Sequence, residues 1–337
     1  MRKIVIIKLG AKGDVVRTLP IVRSIKDKYK DSKIKWITKD NVKEILSGIQ
    51  YIDQLFTVPF ESKEEFDILY NFDIDEYATA LANKIKAKEK FGFFSEAGYP
   101  AAYNVGAEYY LNTLFDDELK KTNTKTYQEM MFMAAELPNN KELAEMVLNK
   151  KDVEYAEEFV KTNNIQKENL LGIHLGASPR WPSKVWHEER IKEFIKKARE
   201  KNHDILIFGG PDETEKHKKF VRALEKDGVS VCRNNPKNTG GQFIALVNLC
   251  RAIICSDSFP LHVSIALKKP TIGLFFCTSP NEVESYGFLT KVVSPILHDF
   301  FPEKMDQYSE ELTKSITAEE VLFALEAGIC QTEKLSD

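Results

Sequence analysis

The sequence lacks any membrane-spanning run: nowhere in its 337 residues do apolar side chains approach the ~18 in succession that a transmembrane helix needs. The apolar stretch near the start, Ile4-Val5-Ile6-Ile7, is stopped by Lys8, too early for a signal peptide, so the expected location is the cytoplasm. Paired cysteines are lacking too. The five present, at positions 232, 250, 255, 277 and 330, form no C-x-x-C pair and are expected as reduced, mostly structural thiols. That excludes a disulfide framework and a zinc ribbon. Glycine and proline are scarce, 16 and 13, which excludes collagen-like and low-complexity chains, and a hydrophobic content of 43% excludes disorder. There is no H-E-x-x-H, no G-x-S-x-G elbow, no Walker A loop and no G-x-G-x-x-G. A net charge of −3 argues against a nucleic-acid partner.

The charge that is present is uneven. Residues 1–43 hold 13 Lys/Arg and 4 Asp/Glu, a balance of +9 against −12 for the remainder. Such a stretch has two readings. It is a solvated lysine face, or it meets an anionic surface, which allows peripheral contact with the inner face of the cytoplasmic membrane.

Short β-branched runs alternate with longer amphipathic stretches. Strands are predicted at 3–8, 33–38, 54–58, 67–71 and 90–94, with helices at 14–29, 41–46 and 103–137. Pro20 is expected to delay or kink the first helix. After the turn cluster Pro138-Asn139-Asn140-Lys141, a charged helical stretch to about 169 is the expected link between domains. The alternation then restarts, with strands at 170–175, 204–208, 229–232, 252–255, 271–276 and 292–293, and a last helix near 317–327. The pattern specifies two α/β units with parallel sheets, whose ligands bind beyond the carboxyl ends of the strands.

Four loops at such edges carry candidate chemistry. In the first, Gly10, Lys12 and Gly13 precede Asp14, which reads either as a helix N-cap or as a general base for an alcohol. The second, 176–186, packs Ser178, Arg180, Trp181, Ser183, Lys184 and Trp186 together. Its cations suit a diphosphate; alternatively the two Trp pin a surface loop. In the third, Gly209 and Gly210 allow close approach of a ligand, and Asp212 or Glu213 accepts from ribose hydroxyls or caps the next helix. The fourth is Ser256-Asp257-Ser258-Phe259-Pro260-Leu261-His262. There Pro260 marks a helix start whose N–H groups suit phosphate, and His262 faces the anion or merely packs. A D-x-D at Asp73-Ile74-Asp75 offers a divalent metal site or a pair of caps.

Together these loops resemble glycosyltransferase family 9, the heptosyltransferases of lipopolysaccharide assembly, over most of the chain. The matching stretches are 7–20, 180–186, 209–213 and 256–262, with Thr278-Ser279-Pro280 as a further one. The resemblance implies a GT-B fold, with two Rossmann-like domains facing a central cleft. Residues 1–150 would bind the acceptor, 165–312 would bind the nucleotide sugar, and the final helix within 313–337 would pack back on the first domain. It implies inverting transfer without metal or other cofactor. The donor would be a nucleotide-diphosphate heptose, expected as ADP-heptose, and the acceptor a lipid-linked or polysaccharide sugar. Asp14 matches the general base and Lys184 the phosphate-binding lysine. Ser178, Arg180, Ser258 and His262 join the phosphate site, and Gly209, Gly210, Asp212 and Glu213 the nucleoside site. Asp257, Phe259, Phe276 and Thr278 fall at the donor-pocket wall. The family usually has Gly at the positions of Phe259 and Phe276, so a reshaped donor pocket is expected. A nucleotide-sugar epimerase and a non-catalytic sugar-nucleotide binder are the alternatives.

Overall fold

The computed structural model describes residues 1–336. The chain divides into two compact units, one made of residues 1–147 with 281–284 and the other of the remainder.

The first unit runs β1 (Arg2–Ile7), α1 (Lys12–Thr18), α2 (Pro20–Lys28), β2 (Ser32–Thr38), α3 (Asp40–Leu46), β3 (Gln54–Thr57), β4 (Glu65–Asn71), α4 (Glu76–Lys84), β5 (Lys86–Glu96), β6 (Tyr99–Ala102), α5 (Val105–Phe115), α6 (Asp117–Thr122) and α7 (Tyr127–Ala134). Its sheet has the order β3-β2-β1-β4-β5-β6 and is parallel except for β6, which pairs antiparallel with β5. Ile4, Val5, Ile6 and Ile7 are all fully buried, as befits a central strand covered on both faces. Pro20 divides the first helix as expected. Leu19 keeps helical dihedrals, but Pro20 has no N–H to continue the ladder and opens α2 instead. No residue pattern announces β6. Its hairpin turns on Ala97 and Gly98, with φ of 50° and 88°, and a two-residue turn with both φ positive is ordinarily marked by Asn-Gly.

The second unit runs α8 (Lys150–Asn163), β7 (Leu170–His174), α9 (Glu188–Glu200), β8 (Asp204–Phe208), α10 (Thr214–Lys226), β9 (Cys232–Arg233), α11 (Gly240–Leu249), β10 (Ala252–Ser256), α12 (Phe259–Ala266), β11 (Thr271–Phe275), β12 (Leu289–Val293), α13 (Glu310–Lys314) and α14 (Ala318–Ser336). Its sheet order is β12-β11-β10-β7-β8-β9, parallel throughout. Each sheet is therefore wound outwards from its own first strand. This is the Rossmann arrangement, and it puts a switch point between β1 and β4 in one unit and between β7 and β10 in the other.

Two expectations about domain limits need correction. The charged stretch after 150 is no linker: α8 packs on α11 inside the second unit. The final helix stays with the second unit as well. Val321, Ala324, Leu325 and Ile329 of α14 enter that unit's core, and Gly328 lies against Ile272 and Thr290. Its apolar face is satisfied by α9, β11 and β12. Among the described residues no helix is long and apolar enough to cross a membrane.

Candidate active site

At the first switch point the chain leaves β1 through Lys8 and β4 through Asp73. The Lys8 ammonium donates to Asp73 Oδ1 at 2.6 Å and to the Phe72 carbonyl at 3.1 Å, and both side chains are buried. The other carboxylate oxygen accepts the N–H groups of Leu9 and, at 2.7 Å, Gly10. Burial alone would depress the Lys8 pKa. The charge of Asp73, helped by Tyr127 and Asp14, outweighs it and holds the ammonium well above its usual range. A side chain at position 10 would place Cβ 2.8 Å from Asp73 Oδ1, so Gly10 is what lets the loop fold onto this carboxylate. Asp75 caps α4 by accepting the Ala78 N–H at 2.9 Å. The D-x-D therefore ties down a loop and a helix start, and the metal reading gives way to the capping one.

Asp14 does not cap α1, whose N-cap is Ala11; it sits half-buried in the first turn, after half-buried Lys12 and buried Gly13. Its Oδ1 accepts from Arg17 Nη2 at 2.7 Å and Nε at 3.1 Å, while the Thr18 hydroxyl donates to its carbonyl at 2.6 Å. The Arg17 guanidinium stacks 3.7 Å from the centroid of the Tyr127 ring. Neither Arg17 nor Tyr127 was singled out from sequence. The i,i+3 spacing of Asp14 and Arg17 was a signal, but Tyr127 is 110 residues away.

At the second switch point Lys184, from the loop after β7, meets Asp257, which follows β10. Its Nζ lies 3.0 Å from Asp257 Oδ2 and 2.9 Å from the Asp257 carbonyl, and His262 Nε2 lies 3.7 Å from Asp257 Oδ1. The Ser256 hydroxyl donates to the Lys184 carbonyl and fixes the loop to the strand end. Burial pushes the neighbouring Cys277 thiol up to about 11, with Lys184 opposing and Asp257 adding to the effect. The tryptophans divide their roles. Trp186 is buried and donates to the Ile316 carbonyl at 3.0 Å, pinning the loop, whereas Trp181 is half-buried with the Arg180 guanidinium 4.7 Å from its ring. Arg180 and Ser178 are exposed. The Ser258 hydroxyl turns back to the Ser256 carbonyl at 3.0 Å instead of capping α12. Pro260 lacks an N–H and Leu261 donates to the Ser258 carbonyl, so this helix start offers fewer N–H groups to an anion than expected.

Beside β8 the Gly210 N–H donates to Glu213 Oε2 at 2.7 Å, and Oε1 sits where a Cβ on Gly176 would come within 2.8 Å. Glu213 is thus held at the strand edge, while Asp212 is exposed and is not the N-cap of α10. Gly209 answers to the protein's own packing: a Cβ there would lie 1.8 Å from His217 Cε1. Phe259 is half-buried and stacks on Phe243 with centroids 5.4 Å apart, and Phe243 in turn meets Phe208 edge-on at 5.2 Å. Phe276 is a correction. It is 1% exposed, in the core cluster that contains Trp186, Phe194 and Leu312, and offers no surface to a donor. Thr278 is largely buried, at 8%.

The family model for glycosyltransferase family 9 (heptosyltransferase) matches residues 62–310. The chain belongs to this family. It is accordingly a glycosyltransferase, although the match begins after the Asp14 loop. The lipopolysaccharide core heptosyltransferase OpsX of Haemophilus influenzae is 24% identical over 87% of this chain and 84% of its own length. Lipopolysaccharide heptosyltransferase 1 of Campylobacter coli is 26% identical over 82% and 84%. Among solved structures, the family 9 glycosyltransferase of Veillonella parvula superposes with a TM-score of 0.78 at 19% identity, covering 98% of both chains. The Escherichia coli ADP-heptose lipopolysaccharide heptosyltransferase II gives 0.74 at 18% identity, over 98% of this chain and 99% of its own. These likenesses support the GT-B architecture of two Rossmann-like domains.

Proposed function

We propose that this family 9 enzyme transfers a heptose from ADP-heptose to a sugar hydroxyl of a lipopolysaccharide core or related glycan, with inversion and without a metal. The observation that carries the reading is the Lys184–Asp257–His262 cluster at the second switch point, where a partly buried lysine and a buried histidine converge on one carboxylate at the edge where a sheet of this order takes its ligand. The relatives' names supply the heptose and the lipopolysaccharide, and a neighbour's title supplies the ADP.

In this mechanism Asp14 takes the proton of the acceptor hydroxyl as its oxygen attacks the anomeric carbon. The bond from that carbon to the diphosphate oxygen breaks on the opposite face, and the electron pair leaves with ADP. Lys184 and His262 stabilise the charge gathering on the diphosphate more in the transition state than before it, which is the condition for rate enhancement. A metal is not required for that neutralisation, and the D-x-D carboxylates are committed to Lys8, backbone N–H groups and a helix cap. Arg180 and Ser178 line the mouth of the phosphate site, Glu213 reaches the ribose, and Phe259 narrows the sugar pocket. Any peripheral contact with an anionic membrane surface draws on fewer charges than the N-terminal stretch holds, because Lys3, Lys26, Lys35 and Arg23 pair with Glu64, Asp53 and Glu142 of their own unit.

The test is Asp14→Ala, assayed for heptose transfer from ADP-heptose and for ADP affinity by calorimetry. Transfer is expected to fall by at least about 100-fold, the scale of general-base catalysis, with ADP affinity kept. Normal transfer by the variant overturns the base assignment. Consumption of donor without any acceptor would favour epimerisation instead.

A further inference from the structure

The Asp14 carboxylate is not held by its own helix alone. Arg17 grips Oδ1 with two nitrogens, at 2.7 and 3.1 Å. The guanidinium is in turn laid on Tyr127, 3.7 Å from the ring centroid. Tyr127 is a rigid platform. It is 2% exposed, stands in the first turn of α7, and that helix is closed by a reciprocal capping box between Thr126 and Glu129. Tyr110 of α5 meets its ring edge-on at 5.6 Å, its hydroxyl lies 3.5 Å from that of Thr18, and the Lys8 ammonium is 5.7 Å from its centroid. An ordinary i,i+3 surface pair has no such backing. A planar guanidinium that is stacked and forked has lost its freedom before it meets the carboxylate.

We propose that Arg17 is a positioning residue for transfer: locked between the Tyr127 ring and Asp14, it fixes the rotamer of the base and holds it in the charged form that accepts a proton. The inference rests on the reading of Asp14 as base. Among the described contacts, the titratable and charged groups acting with that carboxylate in its own unit include Arg17 on α1, Lys8 at the end of β1 and Tyr110 on α5, with Tyr127 of α7 behind Arg17 and Lys12 two residues earlier on α1. Arg17 touches Oδ1 directly, with two nitrogens of its fork. It is therefore the cation whose removal alters both the direction and the proton affinity of the carboxylate. Lys8 is spent on Asp73 and acts from farther off.

The experiment is the pH profile of transfer for Arg17→Ala, Arg17→Lys, Tyr127→Leu and Tyr127→Phe in the full chain, with ADP affinity as a check on folding. For Arg17→Ala the acid limb of kcat/KM is expected to move up by about one pH unit, because a carboxylate stripped of an adjacent cation protonates more easily. The plateau kcat is expected to fall by roughly tenfold or more while donor KM stays within about twofold, the pattern of a misaligned base. Arg17→Lys keeps the charge but not the fork, so its limb should return towards the wild type with kcat still reduced. Tyr127→Leu should move in the direction of Arg17→Ala, and Tyr127→Phe, which keeps the ring, should lie closer to the wild type. An Arg17→Ala profile that superimposes on the wild type, with Asp14→Asn inactive, overturns the clamp and leaves the base reading standing. Full activity of Asp14→Asn removes the base reading and this inference with it.

Discussion

Removing the carboxylate of Asp73 tests whether the first switch point is a scaffold or a metal site. In Asp73→Ala the Lys8 ammonium, whose side chain is 3% exposed, loses its only carboxylate contact among those described, and the N–H groups of Leu9 and Gly10 lose their acceptor. Breaking one side of a buried ion pair costs about 3–5 kcal/mol, because the remaining charge stays buried without a counter-ion. Asp75→Ala, two residues on, removes only a helix cap and should cost about 1 kcal/mol. The contrast is read by denaturant unfolding of both variants and by hydrogen exchange over residues 1–28, where the amides of Leu9 and Gly10 should exchange much faster in Asp73→Ala alone. Lys8→Met in the Asp73→Ala background removes the stranded charge, so the double variant should be more stable than Asp73→Ala. Equal midpoints for Asp73→Ala and Asp75→Ala, or a double variant weaker than Asp73→Ala, would refute the argument.

Other outcomes follow from the second unit. Lys184→Ala should weaken ADP binding by roughly 10- to 150-fold, the value of a charge-assisted hydrogen bond, and an unchanged calorimetric affinity would count against the phosphate site. Phe259→Gly should widen donor choice or alter the rate with ADP-heptose, and an identical donor profile would show that the Phe243–Phe259 stack is packing alone. Burial lowers the His174 imidazole to about 3, with His217 adding to the effect, and lowers His217 to about 4, with Lys216 and Arg233 adding; His174 Nδ1 and His217 Nε2 are buried without hydrogen-bond partners. Unfolded, each titrates near about 6.5, so below that pH the unfolded chain binds more protons and stability drains away as pH falls, by up to about 1.4 kcal/mol per unit for each ring. A denaturation midpoint that does not change between pH 7 and 5 would contradict this.

Much of the fold could be read without coordinates because its signals are local. A central parallel strand must be apolar on both faces, so 4–7, 170–173 and 252–255 announce themselves as short apolar runs. Pro20 and Pro260 mark helix starts by the same local chemistry. The loops after β1, β7, β8 and β10 were legible as candidate sites because strand-to-helix turns in such sheets end at the ligand edge.

What the tertiary structure decided was which side chains meet across long separations. Asp73 bonds to Lys8 across 65 residues, Glu213 faces Gly176, and Arg17 lies on Tyr127. Phe276 turned inward because its place after β11 faces the apolar cluster, something its neighbours in sequence do not encode. The final helix likewise went where an unfilled apolar face of the second sheet remained to be covered. Amino-acid type and spacing set the periodicity of each element. The partner of a given side chain depends on how sheets are wound, and that is a property of the whole chain.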